Sequence, residues 1–154
     1  MNTVVIVSGY FNPIHLGHIR LLQEAKKLGD KLIVIVNNDI QQMTKYRSIV
    51  MDEKERLEVV KAIGVVDNVV LSIDVDPSVI KTIAMIISNT ALHEISNAFA
   101  FISEFIFANG GDRKNEQDIP ESFLCKVSNI KMVFNVGGEK INSSSKINER
   151  CFYA

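Results

Sequence analysis

The sequence is poor in cysteine and has almost no net charge. Its 154 residues include only Cys125 and Cys151, and 17 basic and 18 acidic side chains give a formal net charge of −1. The two cysteines have no zinc-type spacing with the histidines, so no zinc site is predicted. Because no excess of positive charge is present to hold a phosphate backbone, we expect no nucleic acid partner. Any polyanion that this chain binds should be small and held locally.

Long uncharged apolar runs are also missing. The longest apolar region, about 79–108, contains Lys81, His93, Glu94 and Glu104, and these polar residues argue against a membrane span. No basic segment precedes the first apolar run, so no signal peptide is predicted and a cytoplasmic location is the default expectation. The hydrophobic share of 47% is that of a folded globular chain. Its length suits a single domain over 1–154.

Short apolar runs alternate with segments of helical spacing. The runs predict parallel strands at 3–8, 31–36, 68–73, 105–108 and 130–136. The helical spacing predicts helices at 16–28, 52–63, 77–87 and 91–104, and another that begins near 144. The end of 91–104 stays open because 101–108 could be strand, and 43–51 is predicted to be a loop. This alternation predicts a single Rossmann-like three-layer α/β domain, whose five-stranded parallel sheet has the order 3-2-1-4-5.

Three unusual segments each follow a predicted strand. They cover 9–18, 109–113 and 137–146. In open parallel sheets, ligands bind beyond the carboxyl ends of the strands, where the strand order reverses. We therefore expect the first two segments to face each other across that crevice.

The first of these segments contains a pair of histidines. His15 and His18 are three residues apart at the start of a predicted helix, so they share a face. The positive end of that helix favours an anion, and Gly17 removes a side chain where a phosphate would approach. The pattern predicts a site for polyphosphate oxygens, although a structural role for either histidine is the simpler alternative.

The same segment, Ser8-Gly9-Tyr10-Phe11-Asn12-Pro13-Ile14-His15-Leu16-Gly17-His18, resembles the HxGH signature of the nucleotidyltransferase superfamily. The resemblance implies that His15 and His18 are catalytic and stabilise charge at the α-phosphate of a nucleoside triphosphate. It also implies Mg²⁺ that arrives with the triphosphate, no assigned protein ligand for that metal, and a homodimer. The remaining residues implied to bind the nucleotide here are Gly9, Tyr10, Phe11, Asn12 and Gly17. Asn12 stands where many cytidylyltransferases have Asp, and the Asn-Pro pair looks more like the adenylyltransferase version.

The segment 137–146 resembles a late serine-rich motif of the same superfamily, ISSTxxR or RTEGISTS, which binds the β- and γ-phosphates. The match is partial, because Asn142 replaces the first isoleucine and Asn148 stands where Arg is expected. Serines that cap a helix are the alternative interpretation. The residues that the motif implies are Lys140, Ser143, Ser144, Ser145 and Lys146.

Other candidates are weaker. Gly111, Asp112 and Arg113 resemble a glycine-plus-Asp loop of glycerol-phosphate-type cytidylyltransferases, which predicts a base or ribose pocket, although a simple turn also fits. Lys45 and Arg47, in the predicted loop, resemble the lysines that close on the phosphates, and Lys45 is taken as a catalytic candidate. A solvated charged loop is the alternative interpretation. Arg56 resembles a family position in an E-R pair, and an exposed helix ion pair is its alternative.

The chain is therefore predicted to join a nucleoside monophosphate from a nucleoside triphosphate to a small phosphorylated acceptor, with release of pyrophosphate. CTP with a polyol, alcohol or sugar phosphate is favoured by the Gly-Gly-Asp loop and the short length. ATP with a sugar phosphate or coenzyme precursor is the alternative, supported by Asn12-Pro13 and the serine cluster. A nucleotide-binding module without turnover is the third hypothesis. No residue identifies the acceptor.

Overall fold

A computed structural model describes residues 2–88 and 102–153 of the chain. They form one five-stranded sheet of order β3-β2-β1-β4-β5, and all four strand pairs are parallel. The strands are β1 Asn2–Gly9, β2 Lys31–Val36, β3 Asn68–Leu71, β4 Ile102–Gly110 and β5 Lys131–Val136. The predicted α/β class and strand order are confirmed.

The two central strands are buried on both faces, because helices cover both sides of the sheet. Residues 4–7 of β1 and 32–36 of β2 are completely buried. Their side chains alternate between two hydrophobic cores, so that Val4 and Ile6 belong to one and Val5 and Val7 to the other. Full burial of each such side chain stabilises the fold by about 1.5–3 kcal/mol. The core thus explains why these strands read as unbroken apolar runs.

Six α-helices surround the sheet in the described ranges. They are α1 Leu16–Lys26, α2 Asp39–Tyr46, α3 Glu53–Lys61, α4 Ile80–Ile87, α5 Ser122–Val127 and α6 Ser144–Tyr153. Helices α1 and α3 contribute to the core on one face of the sheet, and α4 and α5 to the core on the other. No helix in the described part of the chain is both long and apolar enough to cross a bilayer.

Helix α2 contradicts the predicted loop at 43–51, because it continues through Tyr46. A reciprocal cap starts this helix: Asn38 accepts a hydrogen bond from the Gln41 backbone N–H, and the Gln41 side chain accepts one from the Asn38 N–H. Gln41 is completely buried and donates to the carbonyls of Asp76 and Ser78. Tertiary contacts therefore stabilise a helix whose polar composition suggested a loop.

Two other sequence predictions differ from the structure. Helix α5 was not predicted. The helix predicted at 91–104 is wrong at its end, because 102–104 belong to β4, and its residues 91–101 lie outside the described ranges. The alternative assignment of 101–108 to a strand is confirmed from Ile102 onward. Pairing with β1 explains this outcome, since β1 needs a neighbour on the side away from β2.

Arg56 of α3 connects the two central strands to the segments that follow them. Its side chain is completely buried. The guanidinium donates to the carbonyl oxygens of Tyr10 at 2.8 Å, Asn37 at 2.5 Å and Met51 at 2.9 Å. It also pairs with Asp39 at 2.6 Å. The alternative interpretation of Arg56 as part of an exposed helix ion pair is therefore wrong. The residue instead holds the loop after β1 in place.

We expect Arg56→Ala to lower the free energy of unfolding by about 3–5 kcal/mol, because Asp39 and three carbonyls lose their buried partner. Urea unfolding measures this change. Lys54→Ala, at an exposed position on the same helix, is the control and should change stability by less than about 0.5 kcal/mol. Equal effects of the two substitutions would contradict the role given to Arg56.

Candidate active site

The three segments singled out in the sequence line one cavity of about 880 Å³. It lies beyond the carboxyl ends of β1, β4 and β5, where the strand order reverses between β1 and β4. Most of the predicted site residues line it: Gly9, Tyr10, Asn12, His15, Gly17, His18, Lys45, Gly111, Asp112, Arg113, Lys140, Ser143, Ser144 and Ser145. Phe11 and Lys146 are outside this lining.

His15 and His18 stack at the start of α1. Their ring centroids are 3.9 Å apart and the rings are inclined by 32°. The Gly17 N–H donates to His15 Nδ1 at 3.1 Å, and the His15 N–H donates to His18 Nδ1 at 3.2 Å. Because Nδ1 of each ring accepts a hydrogen bond, the proton of each neutral imidazole lies on Nε2. The pair therefore presents two Nε2–H donors.

Both imidazoles are neutral at pH 7. Burial, followed by the neighbouring His15, lowers the pKa of His18 to about 3. Burial also lowers the pKa of His15, and the positive charge of Lys140 adds to this effect. The two rings therefore carry hydrogen-bond donors and no positive charge. Positive charge in this cavity comes from lysine and arginine side chains, among them Lys45 and Arg113.

Phe11 packs against the ring of His18. It is 1% exposed, and its ring centroid lies 4.8 Å from that of His18. Its φ of 52° is left-handed, which is uncommon for a bulky residue and places backbone strain at this site. A Cβ at Gly9 would lie 2.8 Å from Cζ of Phe11. Gly9 and Phe11 thus position a histidine. Gly9 also lines the cavity and Phe11 does not, and their predicted contact with a nucleotide stays a prediction.

Gly17 lines the cavity and also makes room for the His15 ring. A Cβ at this position would lie 2.9 Å from Cε1 of His15, so glycine allows the imidazole to lie across the start of the helix. The Gly17 N–H is bonded to His15 Nδ1, and the His18 N–H is bonded to the His15 carbonyl at 3.0 Å. Two of the backbone donors predicted to attract a phosphate are thus already bonded within the protein.

Asn12 holds a loop in place. It is 2% exposed, and its Oδ1 accepts from the N–H groups of Val50 at 3.0 Å and Met51 at 2.8 Å. Its Nδ2 donates to the Ser48 carbonyl at 3.4 Å. Both the oxygen and the nitrogen of this amide are therefore hydrogen-bonded to the 48–51 segment. An Asp at this position could not donate to the Ser48 carbonyl, which explains the Asn.

The serine-rich segment lies next to the histidine loop, as the sequence required. Ser144 Oγ donates to the Pro13 carbonyl at 2.8 Å, although 131 positions separate the two residues along the chain. Ser143 Oγ accepts from the Lys146 N–H at 3.2 Å, so this serine also caps α6. Capping and cavity lining therefore occur together, and Lys146 contributes its backbone to the cap.

The loops after β4 and β5 touch at the other wall of the cavity. A Cβ at Gly111 would lie 2.6 Å from the Gly138 carbonyl oxygen, so only glycine allows this approach. Gly138 itself has a φ of 77°, a conformation that glycine adopts without strain. Lys140 and Asp112 form an exposed ion pair of 3.0 Å across the same boundary.

Lys45 reaches the cavity from a helix and not from a flexible loop. Its Nζ lies 4.9 Å from the ring centroid of Tyr10 and 5.1 Å from that of Tyr46, which is cation–π geometry. The two tyrosine rings meet edge to face at 5.1 Å. Arg47, the neighbouring candidate, forms the left-handed C-cap of α2 and is not part of the cavity lining.

Sequence reasoning missed Glu121, which also lines the cavity. This carboxylate is 1% exposed and lies 3.6 Å from Nη1 of Arg113. No motif or spacing in the sequence indicated it. The described residues contain no group of three His, Cys, Asp or Glu side chains arranged to hold a metal ion.

The parallel sheet of order 3-2-1-4-5, with a cavity at its switch point lined by two imidazoles and serine hydroxyls, matches the Rossmann-like nucleotidyltransferase fold. Residues 6–150 match the family model described as cytidylyltransferase-like, and the chain therefore belongs to this family.

Three comparisons illustrate the similarity. The FAD synthase of Archaeoglobus profundus is 48% identical over 67 residues, which are 44% of this chain and 43% of that protein. The crystal structure of a lipopolysaccharide core biosynthesis protein from Thermoplasma volcanium is 26% identical, with a TM-score of 0.64 over 92% of this chain and 100% of that one. A putative nicotinate-nucleotide adenylyltransferase from Vibrio parahaemolyticus, 18% identical over 99% and 88% of the two chains, shares the fold with a TM-score of 0.58. The matches span about half the length of the curated relatives.

The lowered pKa of His18 has a consequence for stability. The unfolded chain takes up a proton near the ordinary pKa of 6.5, whereas the folded chain does not until about 3. Stability should therefore fall as the pH drops through this window, with His18 contributing up to about 1.4 kcal/mol per pH unit. Urea unfolding from about pH 7 to about pH 4 should show a shallower fall for His18→Asn than for wild type. Parallel curves would contradict the assignment.

The contact between the two glycine loops can be tested by adding a methyl group. Gly111→Ala should lower the free energy of unfolding by about 1–3 kcal/mol, because the new Cβ overlaps the Gly138 carbonyl. Gly64→Ala is the matched control, since a Cβ there has nothing within 4 Å, and it should change stability by less than about 1 kcal/mol. Thermal or urea unfolding measures both, and an unaffected Gly111→Ala would exclude the close approach.

Proposed function

We propose that this chain is a nucleotidyltransferase that moves an AMP unit from ATP to a small phosphorylated acceptor and releases pyrophosphate. The observation that carries the proposal is the pair of stacked, neutral imidazoles beside the serine-rich loop in one cavity. Two adjacent N–H donors and a hydroxyl-bearing loop suit a polyphosphate chain.

The chemistry needs few groups because the acceptor is already an anion. An oxygen of the acceptor phosphate attacks the α-phosphorus, the bond from the α-phosphorus to the bridging oxygen breaks, and that oxygen leaves with the β- and γ-phosphates as pyrophosphate. Catalysis then consists of aligning two anions that repel each other and stabilising the charge on the α-phosphate oxygens. His15 and His18 supply Nε2–H donors for those oxygens without having to gain or lose a proton.

The remaining residues fit supporting roles in this proposal. Lys45, held over two tyrosine rings, would supply positive charge near the α-phosphate. Lys140 and the 143–145 serines would meet the β- and γ-phosphates. The Gly111 loop, with Asp112 and Arg113, would contact the ribose or base.

In this proposal, Mg²⁺ binds together with the triphosphate. No described group of three carboxylate, imidazole or thiol ligands is arranged for it, so phosphate oxygens and water would provide most of its coordination. When bound, it neutralises part of the phosphate charge.

ATP and a flavin mononucleotide acceptor are the substrates that the comparisons favour. The curated relatives that match at 40–48% identity are named FAD synthase, and FAD consists of FMN and AMP joined through a pyrophosphate. These matches span about half of each relative, so FMN as the acceptor is part of this proposal and is not established by the similarity. CTP with a polyol phosphate is the second candidate, and the Gly110-Gly111 turn followed by Asp112 favours it.

Pyrophosphate release tests the proposal directly. Wild type, with Mg²⁺ present, should release pyrophosphate from ATP with FMN faster than from CTP with FMN or from either nucleotide with glycerol 3-phosphate. If pyrophosphate were instead released fastest from CTP with glycerol 3-phosphate, the second candidate would be supported. Nucleotide binding without release for any acceptor would indicate a module without turnover.

Removal of either imidazole should lower kcat by about 10²–10³-fold, the usual effect of losing a donor to a developing oxyanion. His15→Ala and His18→Ala are compared with Lys54→Ala, whose side chain is exposed on α3. Urea unfolding establishes that each variant is folded before its rate is interpreted. Full activity in both histidine variants would exclude the mechanism proposed here.

A further inference from the structure

The cavity has a second polar region on the face of the sheet away from α1. The serine loop contacts Pro13 just before α1, on the face where α1 and α3 pack. Glu121 instead joins α4 on the opposite face, where its Oε1 accepts the Val79 N–H at 2.9 Å. Tyr10, at the end of β1, lines the cavity together with Glu121 and the histidines. Glu121 and the histidines therefore line the same cavity from opposite faces of the sheet.

Glu121 has one satisfied and one unsatisfied oxygen. The bond to Val79 fixes the carboxylate, while Oε2 is buried and has no hydrogen-bond partner among residues 2–88 and 102–153. Arg113 Nη1 lies 3.6 Å from Oε2, which is an ion-pair distance but too long for a hydrogen bond. A buried acceptor without a partner is costly, and this one borders the cavity in which a ligand would lie.

Tyr10 adds a second unsatisfied group beside the first. Its hydroxyl is buried and has no hydrogen-bond partner in the described ranges. Burial is the main cause that raises the pKa of Tyr10 to about 12, and the charges of Glu121 and Arg113 also act on it, in opposite directions. The hydroxyl therefore keeps its proton, and the three polar groups lie within electrostatic reach of one another.

We propose that Glu121 is a specificity-determining residue that accepts a hydrogen bond from a hydroxyl group of the phosphorylated acceptor. The inference rests on the proposed function and deepens it. The complementary ligand is a phosphomonoester whose phosphate faces the histidines and whose hydroxyl-bearing chain runs past Tyr10, which the ribityl phosphate of FMN exemplifies. An apolar chain in this position would leave Oε2 buried without a donor, so the site discriminates against it.

Glu121→Gln tests this inference with little change in shape. The Gln carbonyl still accepts the Val79 N–H, while a neutral NH₂ group replaces Oε2, so the ligand hydroxyl loses its charged acceptor and the stronger hydrogen bond that it gives. Equilibrium binding of FMN, followed by flavin fluorescence, should weaken by about tenfold or more. Binding of the ATP analogue with a methylene between the α- and β-phosphorus should stay within about twofold of wild type. Glu116→Gln is the matched control, because Glu116 pairs with Lys126 at 2.6 Å outside the cavity lining.

A second measurement uses only folded wild-type protein. A flavin pentyl phosphate, which is FMN without its ribityl hydroxyls, should bind wild type about tenfold more weakly than FMN. If wild type does not bind FMN, glycerol 3-phosphate and propyl phosphate replace the flavin pair in both measurements. Equal affinities within the pair, no effect of Glu121→Gln, equal weakening of nucleotide and acceptor, or no binding of FMN or glycerol 3-phosphate would each overturn the inference.

The two proposals fail in different ways. If the acceptor binds with the expected dependence on Glu121 and no pyrophosphate is released from ATP, the proposed function fails and the specificity role stands. If pyrophosphate is released with the same acceptor KM in wild type and Glu121→Gln, the function stands and the specificity role fails.

Discussion

The buried guanidinium of Arg56 is the interaction on which the remaining geometry depends. A charge inside a protein is stable only with several partners, and here the partners are carbonyls at the ends of β1 and β2, another before α3, and Asp39. These carbonyls would otherwise lie at the ragged edge of a parallel sheet. One side chain therefore holds the ends of both central strands in place, and the histidine loop begins at one of these ends.

The site separates hydrogen bonding from charge. The two imidazoles at its centre are neutral, because burial lowers the pKa of both and Lys140 and His15 add to this effect at His15 and His18 respectively. The cations reach the cavity from helices and loops around them. A neutral donor gives direction and a fixed distance, whereas a flexible cation gives attraction over a longer range. This division suits a ligand whose total charge is large and whose reacting atom must be aligned closely.

The fold was predictable because its information is local. Runs of β-branched residues and their alternation with helices indicated the class. The strand order was expected for that class and not read from these runs. The histidine and serine segments fell at strand ends, where topology brings ligand sites together. What could not be predicted depends on contacts between distant residues. The polar helix α2 needs buried hydrogen bonds from Gln41. Asn12 supports a loop nearly forty positions away. Glu121 becomes a candidate site residue only when folding places it near Tyr10 and Arg113.

The hydrogen bond between Ser144 and Pro13 joins two residues that the ribosome adds 131 positions apart. A nascent chain that has emerged only as far as β4 holds both imidazoles and most of the sheet, yet it lacks the β5 edge and the hydroxyl-bearing wall. Such a chain would expose a cavity that lacks one of its walls. The cavity is therefore complete only after β5 has paired with β4 and the Ser144 segment has been synthesised.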